Sequence, residues 1–131
     1  MEESKQIKSE VKVSEQDADL SCFDKIILGD RKGVKILHED DKCIAFEDIA
    51  PVAKVHLIVL AKEAKASITN PEAKDEALIG HLMLTASKVA AKAGLVEGYR
   101  VVLNQGKNSF QTIPNLYLHV IGGQQLLWPP T

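Results

Sequence analysis

In the segment Asn115-Leu116-Tyr117-Leu118-His119-Val120-Ile121 polar and apolar side chains alternate from Asn115 through Val120, and Gly122-Gly123 follows it. Strand side chains alternate between faces, so this spacing predicts a β-strand over 116–121 with two unlike sides. Leu116, Leu118 and Val120 point into a core. Asn115, Tyr117 and His119 form a polar row on the other face, with neighbouring members about 6.5 Å apart. A polar row that runs into paired glycines, where backbone can approach a ligand closely, has the form of a site floor. On these residues alone, a half-exposed edge strand with a polar outer face is the simpler account.

The elements around this strand are legible upstream. Arg100 to Leu103 reads as a strand, and Asn104-Gln105-Gly106-Lys107-Asn108-Ser109 as the loop after it. Leu78, Ile79, Leu82, Met83, Ala86, Val89, Ala90 and Ala93 recur at three and four, marking one face of a long helix. Asn70-Pro71 opens that helix with a capping residue and a proline, and Gly94 closes it where a left-handed cap is usual. Val55-His56-Leu57-Ile58-Val59-Leu60 is a nearly continuous apolar run that suits a central strand. Val34 to Leu37 and Cys43 to Phe46 read as short strands joined by the acidic turn Glu39-Asp40-Asp41. Phe23, Ile26 and Ile27 repeat at helical spacing in a short N-terminal helix, which Gly29-Asp30 and Gly33 break. Strands without regularly spaced crossover helices, plus one long helix, give an α+β domain with an antiparallel sheet.

The chain has 131 residues and a mass of 14.3 kDa, enough for one domain with its own core. Residues 1–19 mix Lys5, Lys8 and Lys12 with Glu2, Glu3, Glu10, Glu15, Asp17 and Asp19 and hold no aromatic. They are expected to form a mobile tail ahead of a domain spanning 20–131. Lys plus Arg is 16 against 18 Asp plus Glu, a net −2 that argues against a broad cationic surface for nucleic acid. No run approaches the ~18 apolar residues of a membrane span, and Met1 to Glu10 lacks the apolar stretch of a signal peptide. The expectation is a cytoplasmic or nuclear protein that engages neither nucleic acid nor membrane. With only Cys22 and Cys43 and no CxxC, neither a disulfide framework nor a structural zinc site is expected. No cofactor is expected either.

Leu118-His119-Val120-Ile121-Gly122-Gly123-Gln124-Gln125, followed by Trp128-Pro129-Pro130-Thr131, closely resembles the Hint branch of the histidine triad (HIT) superfamily. Phe23-Asp24-Lys25-Ile26-Ile27, Cys43-Ile44-Ala45-Phe46-Glu47-Asp48-Ile49-Ala50-Pro51, Gly80-His81-Leu82-Met83 and Gly98-Tyr99-Arg100-Val101-Val102-Leu103-Asn104 resemble other Hint segments in the same order. The resemblance implies a HIT-like protomer: a five-stranded antiparallel sheet, one long helix and a short N-terminal helix. It also implies a homodimer formed through the long helix and a strand, with Trp128 packed across it. Hint proteins bind purine nucleotides such as AMP or GMP and hydrolyse nucleoside phosphoramidates. Three histidines alternate along their last strand. The middle one attacks the α-phosphorus to form a nucleotidyl-histidine that water resolves; the flanking pair holds phosphate oxygens and assists proton delivery. By the same resemblance Asp48 takes the ribose hydroxyls, and Phe23, Ile26, Phe46, Ile49 and Leu57 wall the purine. Asn104, Phe110 and Thr112 fall in the phosphate loop, where the family has glycine in place of Phe110 and serine in place of Thr112. Lys107 offers that loop a charge.

The triad itself is degenerate. Its three positions are Asn115, Tyr117 and His119, and the other histidines are His38, His56 and His81. His56 matches a family histidine that supports the nucleophile from behind. Imidazole offers a lone pair near neutrality, whereas a phenol of pKa about 10 is ionised to about one part in a thousand at pH 7. Tyr117 would need a base, and His119 is the nearest; Asn115 carries no titratable proton. His81 reads as structural and His38 as a solvent-facing strand end. A metal site on His56 and His119 lacks an evident third ligand, Cys43 not being placed to supply it.

Three functions follow. The first is a purine nucleotide-binding protein whose covalent chemistry is impaired or lost, serving as a nucleotide-responsive or protein-interaction module, as a homodimer or paired with an active paralogue. The second is a hydrolase of adenosine 5′-phosphoramidates or nucleotidyl esters using Tyr117 or water with His119. The third is a dimeric interaction protein whose pocket is filled by Phe110 and Tyr117.

Overall fold

The computed structural model describes residues 21–63, 68 and 73–131. The expected tail over 1–19 and the expected helix start at Asn70-Pro71 lie outside the described residues. Helix α1 (Cys22–Ile27) begins at a reciprocal cap: the Ser21 hydroxyl accepts from the Asp24 amide, and the Asp24 carboxylate accepts from the Ser21 amide. Strands β1 (Ile36–Glu39) and β2 (Cys43–Glu47) follow. The turn between them is fixed by Asp40, whose Oδ1 accepts from the Lys42 and Cys43 amides at 2.8 and 2.9 Å. Then come β3 (Val55–Ala61), the long helix α2 (Ala73–Lys92), β4 (Tyr99–Val102), a 3-10 turn at Lys107–Ser109, and β5 (Tyr117–Gly122). Gly94, at φ 78°, ends α2 as expected, with the Leu95 amide bonded back to the Ala90 carbonyl.

The sheet is antiparallel throughout, in the order β1-β2-β3-β5-β4. The expected five-stranded α+β architecture is present, and the strand ends differ from the sequence reading by a residue or two. On one face Ala45, Leu57, Val59, Leu118 and Val120 pack against Leu82, Ala86 and Val89 of α2. On the other, Ile44, Phe46, Ile58, Leu60 and Tyr117 pack against Phe23 and Ile26 of α1. Both faces of β3 are therefore covered, which is why its apolar run shows no alternation. Among the described residues the second face has only a six-residue helix over it, which leaves part of the sheet to the side chains described next.

Candidate functional site

The open part of that face is occupied by side chains of β3 and β5 and by the turn after β2. In the β3–β5 register His119 pairs with Ile58, and Tyr117 with Leu60. His56 Nε2 lies 2.9 Å from His119 Nδ1. The Val52 amide donates to His56 Nδ1 at 3.1 Å, and Asp48 Oδ2 sits 3.3 Å from His56 Nε2. The Asp48 amide donates to the His56 carbonyl, and Asp48 Oδ1 accepts from the Ala50 amide.

This chain of contacts assigns the tautomers. An amide can only donate, so His56 Nδ1 is the acceptor and Nε2 carries the proton. That Nε2–H faces His119 Nδ1, which must then be unprotonated. Neutral His119 accordingly carries its proton on Nε2. It can donate a hydrogen bond to a phosphate oxygen, and it has no spare lone pair with which to attack phosphorus or deprotonate a phenol.

Burial lowers the pKa of both imidazoles, assisted at His119 by its neighbour His56, while the Asp48 carboxylate pulls the other way. In the unfolded chain both titrate near 6.5. Below that pH the unfolded state binds more protons, so stability is complete above about 6.5 and is lost as pH falls toward the folded values. Glu39, held at about 2 chiefly by hydrogen bonds from Arg31 and Lys62, loses its contribution only as pH falls from 4.5 toward that value. The thermal midpoint should therefore drop between pH 7 and 5.5, and His119→Gln should flatten that drop. An equally steep drop in the variant would show that the pair is not its source.

Tyr117 is only 7% exposed. Its ring meets Phe23 edge-on at 4.8 Å and His119 at 5.2 Å, and Phe23 meets Phe46 at 5.6 Å. Burial raises the phenol pKa, and the negative charge of Asp48 raises it further. Tyr117 is thus a wall with a protonated hydroxyl.

Asn115 shares the side of Tyr117, as the alternation predicts, but its polar atoms are taken. It is buried ahead of β5, its Oδ1 accepting from Ser21 Oγ at 2.6 Å and its Nδ2 donating to Asp24 Oδ1 at 2.7 Å. It ties β5 to the cap of α1. Ser21 and Asp24 were missed as its partners, although their Ser-x-x-Asp spacing is itself a cap signature.

Leu57 requires correction. It pairs with Val120 and packs with the α2-facing cluster, on the opposite side of the sheet from Phe23 and Phe46. Neighbours on a strand point oppositely, so Leu57 cannot share a pocket with Ile58 and His119. Phe23, Ile26 and Phe46 do cluster on the site face, and Ile49, beside Asp48, is 87% exposed. Asn104 is half-buried and Thr112 exposed. Lys107 is exposed as well.

Phe110 does not fill the pocket. It caps the 3-10 turn in the left-handed conformation at φ 66°, with its ring 82% exposed. That conformation costs a non-glycine residue about 1 kcal/mol. With no packing to lose, Phe110→Gly should stabilise the domain by about 1 kcal/mol, read as a higher denaturant midpoint at unchanged slope.

The close approach at Gly122 is internal rather than to a ligand: a Cβ there would meet Leu95 at 3.2 Å and the Gly98 carbonyl at 3.3 Å. A 560 Å³ cleft lies between Gly94–Arg100 and Gly123–Leu126, and a 310 Å³ cleft between Lys35, Pro51 and Lys92 reaches Asp48 and His56. Neither is lined by Tyr117 or His119. Asp48, His56 and His119 present ligand atoms within 4.8 Å of one another, so Asp48 stands where a third ligand beside the two histidines would be needed. His38 is half-buried, not solvent-facing, and bonds Asp40 together with His81. Among the described residues no helix is long and apolar enough to cross a membrane.

Residues 31–126 match the family model for the HIT domain. The chain belongs to the HIT domain family. An uncharacterized HIT-like protein of Synechococcus elongatus is 47% identical over 95 residues, spanning 72% of this chain and 83% of its own. A HIT family hydrolase from Legionella pneumophila is 34% identical, with a TM-score of 0.78 over 84% of this chain and 98% of its own. A histidine triad nucleotide-binding protein from Candida albicans shares the fold at 24% identity, with a TM-score of 0.67 over 83% of this chain and 82% of its own. Within this HIT domain the last strand carries one histidine, His119, and its imidazole is backed by His56.

Proposed function

We propose that this HIT domain binds a purine nucleoside monophosphate non-covalently and does not carry out nucleotidyl transfer. The observation that carries this reading is the pairing of a buried, protonated Tyr117 with a His119 whose Nδ1 is occupied by His56. A hydroxyl nucleophile needs a base to take its proton, and His119, with Nδ1 engaged by His56 and Nε2 protonated, offers none at pH 7. The ligand-holding groups are better supplied. Asp48 retains acceptor capacity for a ribose hydroxyl, Ile49 lies exposed beside it, Phe23 and Phe46 supply apolar surface, and His119 Nε2–H suits a phosphate oxygen.

The unit of function is a homodimer in this reading. Met83 and Leu84 leave an apolar patch on the outward side of α2, β4 is an edge strand, and Leu127 and Trp128 are exposed. Arg100 lies over the Trp128 ring at 5.8 Å and bonds the Leu127 carbonyl.

Calorimetric titration with AMP and GMP, beside turnover of a fluorogenic adenosine phosphoramidate, tests the proposal. Binding that Asp48→Ala abolishes, with no turnover, is the expected result. Turnover that Tyr117→Phe eliminates would establish the tyrosine-nucleophile enzyme instead. Absence of any heat at millimolar nucleotide would leave only the dimeric interaction protein.

A further inference from the structure

We propose that His38, Asp40, Cys43 and His81 form a binding site for a divalent cation of the Zn²⁺ class, on the α2 side of the sheet and separate from His119. Four elements converge there: β1 gives His38, the β1–β2 turn gives Asp40, β2 gives Cys43 and α2 gives His81. Asp40 Oδ1 is held by the Lys42 and Cys43 amides, which leaves Oδ2 as the free end of the carboxylate. His38 Nε2 and His81 Nε2 each lie 2.8 Å from Oδ2, and Cys43 Sγ lies 3.7 Å from it. Three donors thus crowd one oxygen that has two lone pairs.

The same atoms are a mixed nitrogen, oxygen and sulfur ligand set of the kind that tetrahedral zinc takes. Those of His38, Asp40 and Cys43 already lie within 4.8 Å of one another. With metal–ligand bonds of about 2.0–2.3 Å, tetrahedral ligand atoms stand roughly 3.3–3.8 Å apart. The Asp40–Cys43 separation suits this as it stands, and the two imidazole contacts need to open by about half an ångström. His81, which stands outside that close set, must draw nearer to His38 and Cys43. On binding, each imidazole holds its proton on Nδ1 and frees Nε2, while the thiol proton passes to solvent. The buried Thr85 hydroxyl, 3.6 Å from Cys43 Sγ, can then donate to the thiolate. The amides on Asp40 Oδ1 orient the carboxylate in the same manner.

The test uses the full chain carrying Cys22→Ser, so that Cys43 is the sole thiol. Titration with Co²⁺ should give the visible bands of a tetrahedral ion and a thiolate-to-cobalt charge-transfer band, and Zn²⁺ should displace both. Loss of even an outer partner of a metal ligand costs about 10–100-fold, so removing two of the ligands themselves in the double variant His38→Ala/His81→Ala should weaken binding by about 100-fold or more. The thermal upshift given by Zn²⁺ should vanish in the same variant. Both replaced side chains are partly exposed, so this variant does not depend on Cys43→Ser folding. His119→Ala should leave the cobalt spectrum intact. Absence of the charge-transfer band, or a spectrum that survives the double variant, would overturn the proposal. A spectrum lost on His119→Ala would assign the ion to Asp48, His56 and His119 and overturn it equally.

Discussion

Tyr117→His should convert the protein into a phosphoramidate hydrolase, with turnover rising on the order of 10³-fold or more over the wild type. The substitution places a neutral imidazole, with a lone pair at pH 7, at the first residue of β5, two positions before His119. His119 already presents an N–H suited to phosphate and to the leaving group, and His56 already fixes that tautomer. In the proposed reading the missing electron pair at position 117 is the defect this substitution repairs, with Asn115 and Phe110 unchanged. Asn115 is left in place deliberately: its two hydrogen bonds hold the α1 cap, and breaking them in a buried setting costs about 1–3 kcal/mol. Steady-state assay of a fluorogenic adenosine phosphoramidate, with mass spectrometry for a nucleotidyl adduct, checks the result. A variant that binds AMP as the wild type does, yet shows neither turnover nor adduct, would place the defect elsewhere in the site.

Leu57→Ala should remove about 3 kcal/mol of stability while leaving nucleotide affinity unchanged in the folded fraction. Leu57 is 2% exposed and packs among residues facing α2, so its truncation leaves a cavity there and does not touch the site face. For a domain of this size that corresponds to a fall of roughly 10 °C in the thermal midpoint. Phe23→Ala is the matched control on the other face, expected to weaken nucleotide binding because its ring lies against Tyr117 and Phe46. A weakened affinity in Leu57→Ala would return that residue to the pocket and refute the assignment of faces.

The difference between these two residues shows where sequence reading succeeds and where it stops. Along 115–120 the polar and apolar residues alternate, so the face of each is legible, and Leu118 and His119 fall where that pattern puts them. Along 57–60 every residue is apolar because both faces of β3 are covered, and a uniform run contains no phase to read. The tie from Asn115 to Ser21 spans 94 positions, a distance at which spacing says nothing. Phe110 stands out by its bulk, but its outward ring follows from a backbone dihedral that the residue type does not announce. His38, Asp40, Cys43 and His81 looked unrelated because only the packing of α2 on the β1–β2 turn joins them.

Strand order bears on how the polypeptide is made. In the sheet β4 has a single neighbour, β5, and β5 also closes the inner edge of β3, yet it leaves the ribosome after both. Until it arrives, β4 has nothing to hydrogen-bond with and β3 shows a bare apolar edge, the circumstance in which nascent chains self-associate and recruit chaperones. The strand that bears Tyr117 and His119 is thus also the keystone of biogenesis, and cellular yield should respond to changes there even when no catalysis is at stake.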